Sequence, residues 1–289
     1  MTLSSQSSSA ASSSADSAHV AHRILVCACA GSELTPREKV ETFLKGFSPP
    51  DAEVVAVPDL CRIAAKDKAK LAEYADADKL TVVACFPRTV RSLFQFAEVD
   101  VDDNALEVHN LRKDDPEAIR ALIEADCCSE VPAAPISEFE PIDPNLTANQ
   151  DGWAPWFPVI DQDRCTHCRQ CLSFCLFGVY ETDEAGKVHV ANPEECKTGC
   201  PACARICPEV ALIFPKYPNS PVNGDEITNI DEDRERVRVD MQQLLGDNLY
   251  AALAERKRAR RRRVLLRKQR EDSNAPSGQP DPNSKGTSL

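Results

Sequence analysis

Two folded units and a basic tail are what this sequence predicts. The first is an α/β parallel-sheet domain of Rossmann-like or flavodoxin-like type, the second a small α+β domain dense in cysteine, followed by a C-terminal helical, basic extension. Three observations carry this reading. Four short apolar runs alternate with four amphipathic stretches between residues 22 and 129. Eight of the 14 cysteines fall within residues 165–207. Arg256 to Arg270 holds ten Lys or Arg and no acid.

Residues 1–21 are Ser-rich, with too little apolar surface to offset the entropy of ordering, and are expected to be disordered. In 22–129 the apolar runs RILVCAC, EVVAV, KLTVVAC and ALEVHNL read as strands. The stretches PREKVETFLKGF, CRIAAKDKAKLAEYA, RTVRSLFQFAE and PEAIRALIEA read as the helices between and after them. Such alternation implies a parallel sheet covered on both faces. Thr35 is the expected N-cap of the first helix, with Pro36 at its first position and Glu38 completing a capping box; Asp115 and Pro116 open the last helix.

Residues 130–156 contain Pro132, Pro135, Pro141, Pro144 and Pro155 and little periodicity, which suggests an extended linker. Residues 157–218 are the cysteine-dense unit. Within it GVYETDEAGKVHV reads as a hairpin turning at Glu184 to Gly186, and VALIFP as a closing strand. In 219–289, Val237, Met241, Leu244 and Leu245 form a narrow helical stripe, Gly246 is expected to end or bend that helix, and a second helical segment runs from Leu249 into the basic run. The last residues are expected to be disordered.

Composition narrows the function classes. No apolar run approaches the roughly 20 residues of a membrane helix, and the first residues lack the pattern of a secretory leader, so a cytoplasmic protein is expected. Thiols there are kept reduced, and many cysteines point to metal or redox chemistry rather than disulfides. The net charge of −12 becomes −22 once the ten charges of the basic run are set aside. An acidic body disfavours nucleic acid as a partner and suits docking on basic protein surfaces. The basic run itself is read as a solvated tail, a protein-docking segment or, as the weakest reading, a nucleic-acid contact; no aromatic residues interleave it. No GxGxxG follows any strand, so no flavin or nicotinamide site is readable.

Cys165, Cys168, Cys171 and Cys175 are spaced CxxCxxCxxxC, and Cys196, Cys200, Cys203 and Cys207 are spaced CxxxCxxCxxxCP. Three thiolates at such short intervals can wrap one face of an iron–sulfur cubane, while the fourth lies on the next helical turn and points away. Zinc knuckles do not need this run of evenly spaced sulfurs twice. With FPVIDQDRC leading in and CPEVALIFP leading out, residues 157–218 resemble the bacterial-type two-cluster ferredoxin family. The resemblance implies crosswise ligation of two [4Fe–4S] clusters: Cys165, Cys168, Cys171 and Cys207 for one, and Cys196, Cys200, Cys203 and Cys175 for the other. Leu176 stands where that family usually has Pro, and one extra residue separates Cys196 from Cys200. His167 lies between two ligands; a loop residue is the expected role and ligation the alternative.

Cys27 and Cys29 end the first strand, Cys61 follows the second and Cys85 ends the third. Parallel sheets bind ligands at the carboxyl ends of their strands, so these four can converge. The segments ILVCACAG, DLC, VVACFPRTVRSLF and HNLR, over residues 23–112, resemble the N-terminal domain of the iron–sulfur flavoprotein of heterodisulfide reductase. That likeness implies an electron-transfer context and a candidate third [4Fe–4S] cluster, although the further Cys after HNLR and the flavin domain are missing. A CxC dithiol and ordinary half-buried thiols are the alternatives. Arg88 is expected to be a solvated first-turn residue; Cys127 and Cys128 are expected to pack or lie at the surface. The expected function is therefore single-electron transfer, as a carrier or a component of a larger complex rather than a stand-alone enzyme, to or from a flavoprotein or heterodisulfide reductase-like complex. A redox sensor docking through the basic helix, and a thiol oxidoreductase, are the alternatives.

Overall fold

The computed structural model describes residues 20–30, 32–127, 152–245 and Arg258. The Ser-rich segment, most of the Pro-rich linker, Cys128, Gly246 and the rest of the basic run lie outside the described residues. In the first unit the elements run β1 (His22–Cys27), α1 (Arg37–Leu44), β2 (Glu53–Val57), α2 (Leu60–Lys66), α3 (Lys68–Ala75), β3 (Lys79–Ala84), α4 (Pro87–Ala97), β4 (Leu106–Asn110) and α5 (Pro116–Asp126). The sheet order is β2-β1-β3-β4, every pair parallel.

Helices on both sides explain why the central strands β1 and β3 are buried along nearly their whole length. Ile24 and Val26 face one way, against Val40, Phe43, Ile119 and Ile123 of α1 and α5. Leu25 and Cys27 face the other, against Leu60, Leu71, Leu93 and Phe94 of α2, α3 and α4. Chain order reverses between β1 and β3, so the crevice beyond their carboxyl ends is where such a sheet takes a ligand.

Two helix readings need correction. The expected capping box at Thr35 does not form: Thr35 is buried, Pro36 occupies the cap without a side-chain hydrogen bond, and α1 begins at Arg37. The long second helix is two helices, because Asp67 leaves helical geometry and its carboxylate accepts from the Lys70 amide at 2.9 Å, starting α3. Asp115 does cap α5, accepting from the Ala118 amide at 3.0 Å, with Pro116 following.

The second unit pairs β5 (Val159–Ile160) with β8 (Leu212–Ile213) and β6 (Tyr180–Thr182) with β7 (Val188–Val190), both antiparallel. The β6–β7 hairpin turns at Gly186, whose φ of 79° is open to glycine. Short helices α6 (Gln170–Phe174) and α7 (Ala202–Ile206) follow the two cysteine loops, and α8 (Ile230–Leu245) contacts α7. Val237 of its expected stripe is buried in the second core.

The units share a core. Phe157, Val159 and Ile213 of the second unit join the buried cluster under α2, α3 and α4. Just before them, Trp153 stacks on Phe157 at 6.0 Å and its carbonyl accepts from Arg62 at 2.8 Å, while Trp156 lies 5.5 Å from Phe214. The end of the expected linker is thus docked on both units.

Candidate metal centres

The first cysteine loop turns tightly because His167 and Arg169 both adopt left-handed backbone, with φ of 52° and 61°. Its end at Arg169 starts α6, which carries Cys171. Cys165, Cys168 and Cys171 then line one cavity together with Cys207, which comes from the other motif. The Val188 amide donates to Nδ1 of His167 at 3.2 Å, which ties the loop to β7. The Ala211 amide donates to the Cys207 sulfur at 3.4 Å.

A second cavity is lined by Cys196, Cys200 and Cys203 together with Cys175. The extra residue between Cys196 and Cys200 is absorbed by a turn in which the Cys200 amide reaches the Lys197 carbonyl at 3.0 Å and Gly199 takes a φ of 76°. The hydroxyl of buried Tyr180 donates to the Cys203 sulfur at 3.0 Å.

Burial dominates the acidities. It pushes the Cys171 and Cys196 thiols up to about 12, with neighbouring sulfurs adding to the effect, and holds Cys203 well above its usual range. A thiolate in these cavities therefore needs a compensating cation, and metal binding would release protons. Among the described residues no three Cys, His, Asp or Glu side chains converge closely enough to hold a single metal ion. A cubane is held at separate iron corners, so its thiolates ring a cavity as both sets do. Four thiols per cavity and sulfur-directed N–H and O–H donors fit an iron–sulfur cluster.

The N-terminal cysteines meet at the carboxyl edge of the sheet. Cys27 ends β1 and accepts from the Leu60 amide at 3.3 Å. Cys29 follows in left-handed backbone, Cys61 lies in the first turn of α2 and Cys85 follows β3. Cys29 lies close enough to raise the other three thiols electrostatically. Burial is the larger cause throughout, and it brings Cys85 up to about 12. Cys127 sits elsewhere, in the core beside Ile123, its sulfur 3.6 Å from Nδ1 of His22.

Sequence reasoning missed the polar groups around this edge. Asp59 caps α2 through Oδ1, which accepts from the Cys61 and Arg62 amides at 3.0 and 3.3 Å. Its other oxygen pairs with Lys216 of the second unit, whose ammonium also lies 3.5 Å from the Cys29 sulfur. Burial opposes the charge of Lys216, yet the Asp59 carboxylate and the Cys29 and Cys61 sulfurs outweigh it and hold its pKa well above the usual lysine range. Arg112, after β4, donates to the carbonyls of Pro215 and Tyr217 on either side of Lys216. The only advance signal for Asp59 was an acid immediately before a helix.

Arg88 is not solvated. Its side chain is 14% exposed, and its Nε meets Asp161 of the second unit at 2.6 Å. The rest of its fork reaches the carbonyls of Val210, Pro221 and Asp225. Fixed-fork geometry explains why an Arg serves here. It joins the helix that follows Cys85 to the segment that follows Cys207.

Residues 157–239 match the 4Fe-4S dicluster domain family, so the match runs past residue 218 and takes in the first part of α8. An uncharacterized ferredoxin of Methanocaldococcus jannaschii is 49% identical over 21% of this chain and 41% of its own length. The chain thus spans less than half of that relative. Ferredoxin-3 of Nostoc is 35% identical over 22% of this chain and 84% of its own length. Pyruvate synthase subunit PorD of Methanocaldococcus jannaschii is 33% identical over 24% of this chain and 78% of its own length. No solved structure matches the chain. No helix among the described residues is long and apolar enough to cross a membrane. Through the unit that begins at Phe157, this chain belongs to the ferredoxin family with a 4Fe-4S dicluster domain.

Proposed function

We propose that this chain is a cytoplasmic single-electron carrier with two crosswise-ligated [4Fe–4S] clusters and a third centre in its α/β unit. Cys165, Cys168, Cys171 and Cys207 would hold the first cluster, Cys196, Cys200, Cys203 and Cys175 the second, and Cys27, Cys29, Cys61 and Cys85 the third. The carrying observation is that each ferredoxin cavity is lined by three thiols of one motif and the fourth of the other. When bound, such clusters supply reversible one-electron chemistry. The chain's own groups set its terms: Tyr180 and the Ala211 amide direct hydrogen-bond donors at ligand sulfurs, which favours the more negative, reduced state.

Two observations support an internal centre over a dithiol that meets a substrate. Cys27 and Cys61 are buried, and Lys216 lies against Cys29. Cys196 also packs against the cores of both units, which suits electron passage between them. The strand order and the likeness to the heterodisulfide reductase flavoprotein support the Rossmann-like or flavodoxin-like class for residues 22–129. The same likeness, with the PorD relative, supports a flavoprotein, a heterodisulfide reductase-like complex or another oxidoreductase as partner.

Anaerobic titration with dithionite, followed by visible absorption and electron paramagnetic resonance, tests this. The expected result is uptake of roughly three single electrons per chain, one per centre, with iron–sulfur signals appearing on reduction. A two-electron step without such signals would overturn the proposal in favour of thiol chemistry.

A further inference from the structure

We infer that the N-terminal centre is a composite site completed across the unit interface, with Lys216 of the ferredoxin unit as the cation that sets its reduction potential. The inference rests on the third centre proposed above. Lys216 is 8% exposed, Asp59 is 4% exposed, and the two come from different units. Burying an ion pair is costly, and a sheet edge packed on a ferredoxin could be closed by apolar residues instead. This pair is aimed: one carboxylate oxygen of Asp59 is committed to the amides of Cys61 and Arg62, the other faces Lys216, and the ammonium spans Asp59 and the Cys29 sulfur. Arg112 fixes the carbonyls flanking Lys216, so the main chain that carries the lysine is anchored on both sides.

Four thiolates around a cubane leave net negative charge, and reduction adds one more. A lysine ammonium at a ligand sulfur stabilises the reduced state more than the oxidised one and raises the potential. The Asp59 carboxylate acts in the opposite sense. Docking of the ferredoxin unit therefore tunes the centre that it faces.

The test is a redox titration of the anaerobic full-length chain, with the third signal identified as the one missing from Cys27→Ala. Lys216→Met is expected to lower the midpoint of that signal by at least tenfold in the ratio of reduced to oxidised centre, about 59 mV for one electron. Asp59→Asn, which keeps a cap oxygen on α2, is expected to raise it, and Lys216→Arg to restore the parent value. The two ferredoxin signals should not move. If Lys216→Met loses iron, Lys216→Gln takes its place in the same titration. A third signal that stays put, or moves the same way in the Lys216 and Asp59 variants, would overturn the inference and leave the third centre standing. A parent without a third signal and with the two ferredoxin signals intact would overturn the third centre and this inference together.

Discussion

Cys207→Ala should empty the centre whose other three thiols belong to the opposite motif, and leave the Cys196, Cys200 and Cys203 centre loaded. The reason is the cavity lining: Cys207 faces Cys165, Cys168 and Cys171, while Cys175 faces the second set. Each single variant should therefore lose about four irons. The decisive comparison is between double variants. Cys165→Ala with Cys207→Ala removes two ligands of one cluster, and should lose no more iron than either single change. Cys165→Ala with Cys175→Ala draws both changes from one motif yet touches both cavities, and should lose about twice as much. Such non-additivity is expected of residues that share one group. Iron analysis after anaerobic purification reads the result. If instead the pair within one motif behaves as one unit, each motif holds its own cluster and the crosswise account fails.

Arg88→Met should weaken the docking of the two units by about 3–5 kcal/mol, the range for breaking a buried ion pair from one side. Asp161 would be left buried without its guanidinium, and three carbonyls of residues 210–225 would lose a shared donor. Arg88→Lys should recover only part of this, because an ammonium lacks the fork. Gly224→Val attacks the same contact from the other side. A Cβ there would overlap the Thr89 side chain, and a φ of 93° strains any side chain. Trp153 and Trp156 both lie at the junction, so their fluorescence reports on docking while far-ultraviolet circular dichroism reports on helices. In the parent the two transitions should coincide under denaturant, and in the variants fluorescence should change first. A midpoint shifted by less than about 0.5 kcal/mol in Arg88→Met, the range of ordinary surface changes, would show that the junction does not depend on this residue.

The sheet was legible because both of its faces are covered: β1 to β3 carry continuous apolar runs, as around Ile24, Leu25 and Val26, while the edge strand β4 is shorter of apolar residues, with Glu107 exposed. The two cysteine motifs were legible for a different reason, since the spacing within each is local, whereas the fourth thiol lining each cavity comes from the other motif and was expected only from the family resemblance. Asp67 was missed because an acid between two lysines suits a helix surface as well as a cap, and only the break in backbone geometry separates the two. Arg88 and Lys216 were illegible for a reason that lies beyond local pattern. A lone cation in a first helical turn, or between two prolines and a tyrosine, is ordinarily solvated. What buries these two is the partner unit, about 73 and 157 residues away from their carboxylates in sequence. Once the units are joined, Thr89, Arg112 and Lys113 turn from helix and loop surface into contacts with residues 215–225. The docked end of the expected linker has the same origin: Pro155 and Pro158 punctuate the backbone, while Trp153, Trp156 and Phe157 hold it to both cores.

Iron and acid-labile sulfide per chain, measured after anaerobic purification of the parent and of Cys27→Ala, test the central claim most directly. Three clusters predict about twelve of each in the parent and about eight in the variant, four per cluster, with the ferredoxin spectrum retained. About eight in both would contradict the third centre and reduce the carrier to its ferredoxin unit; zinc without sulfide would contradict iron–sulfur chemistry in every centre.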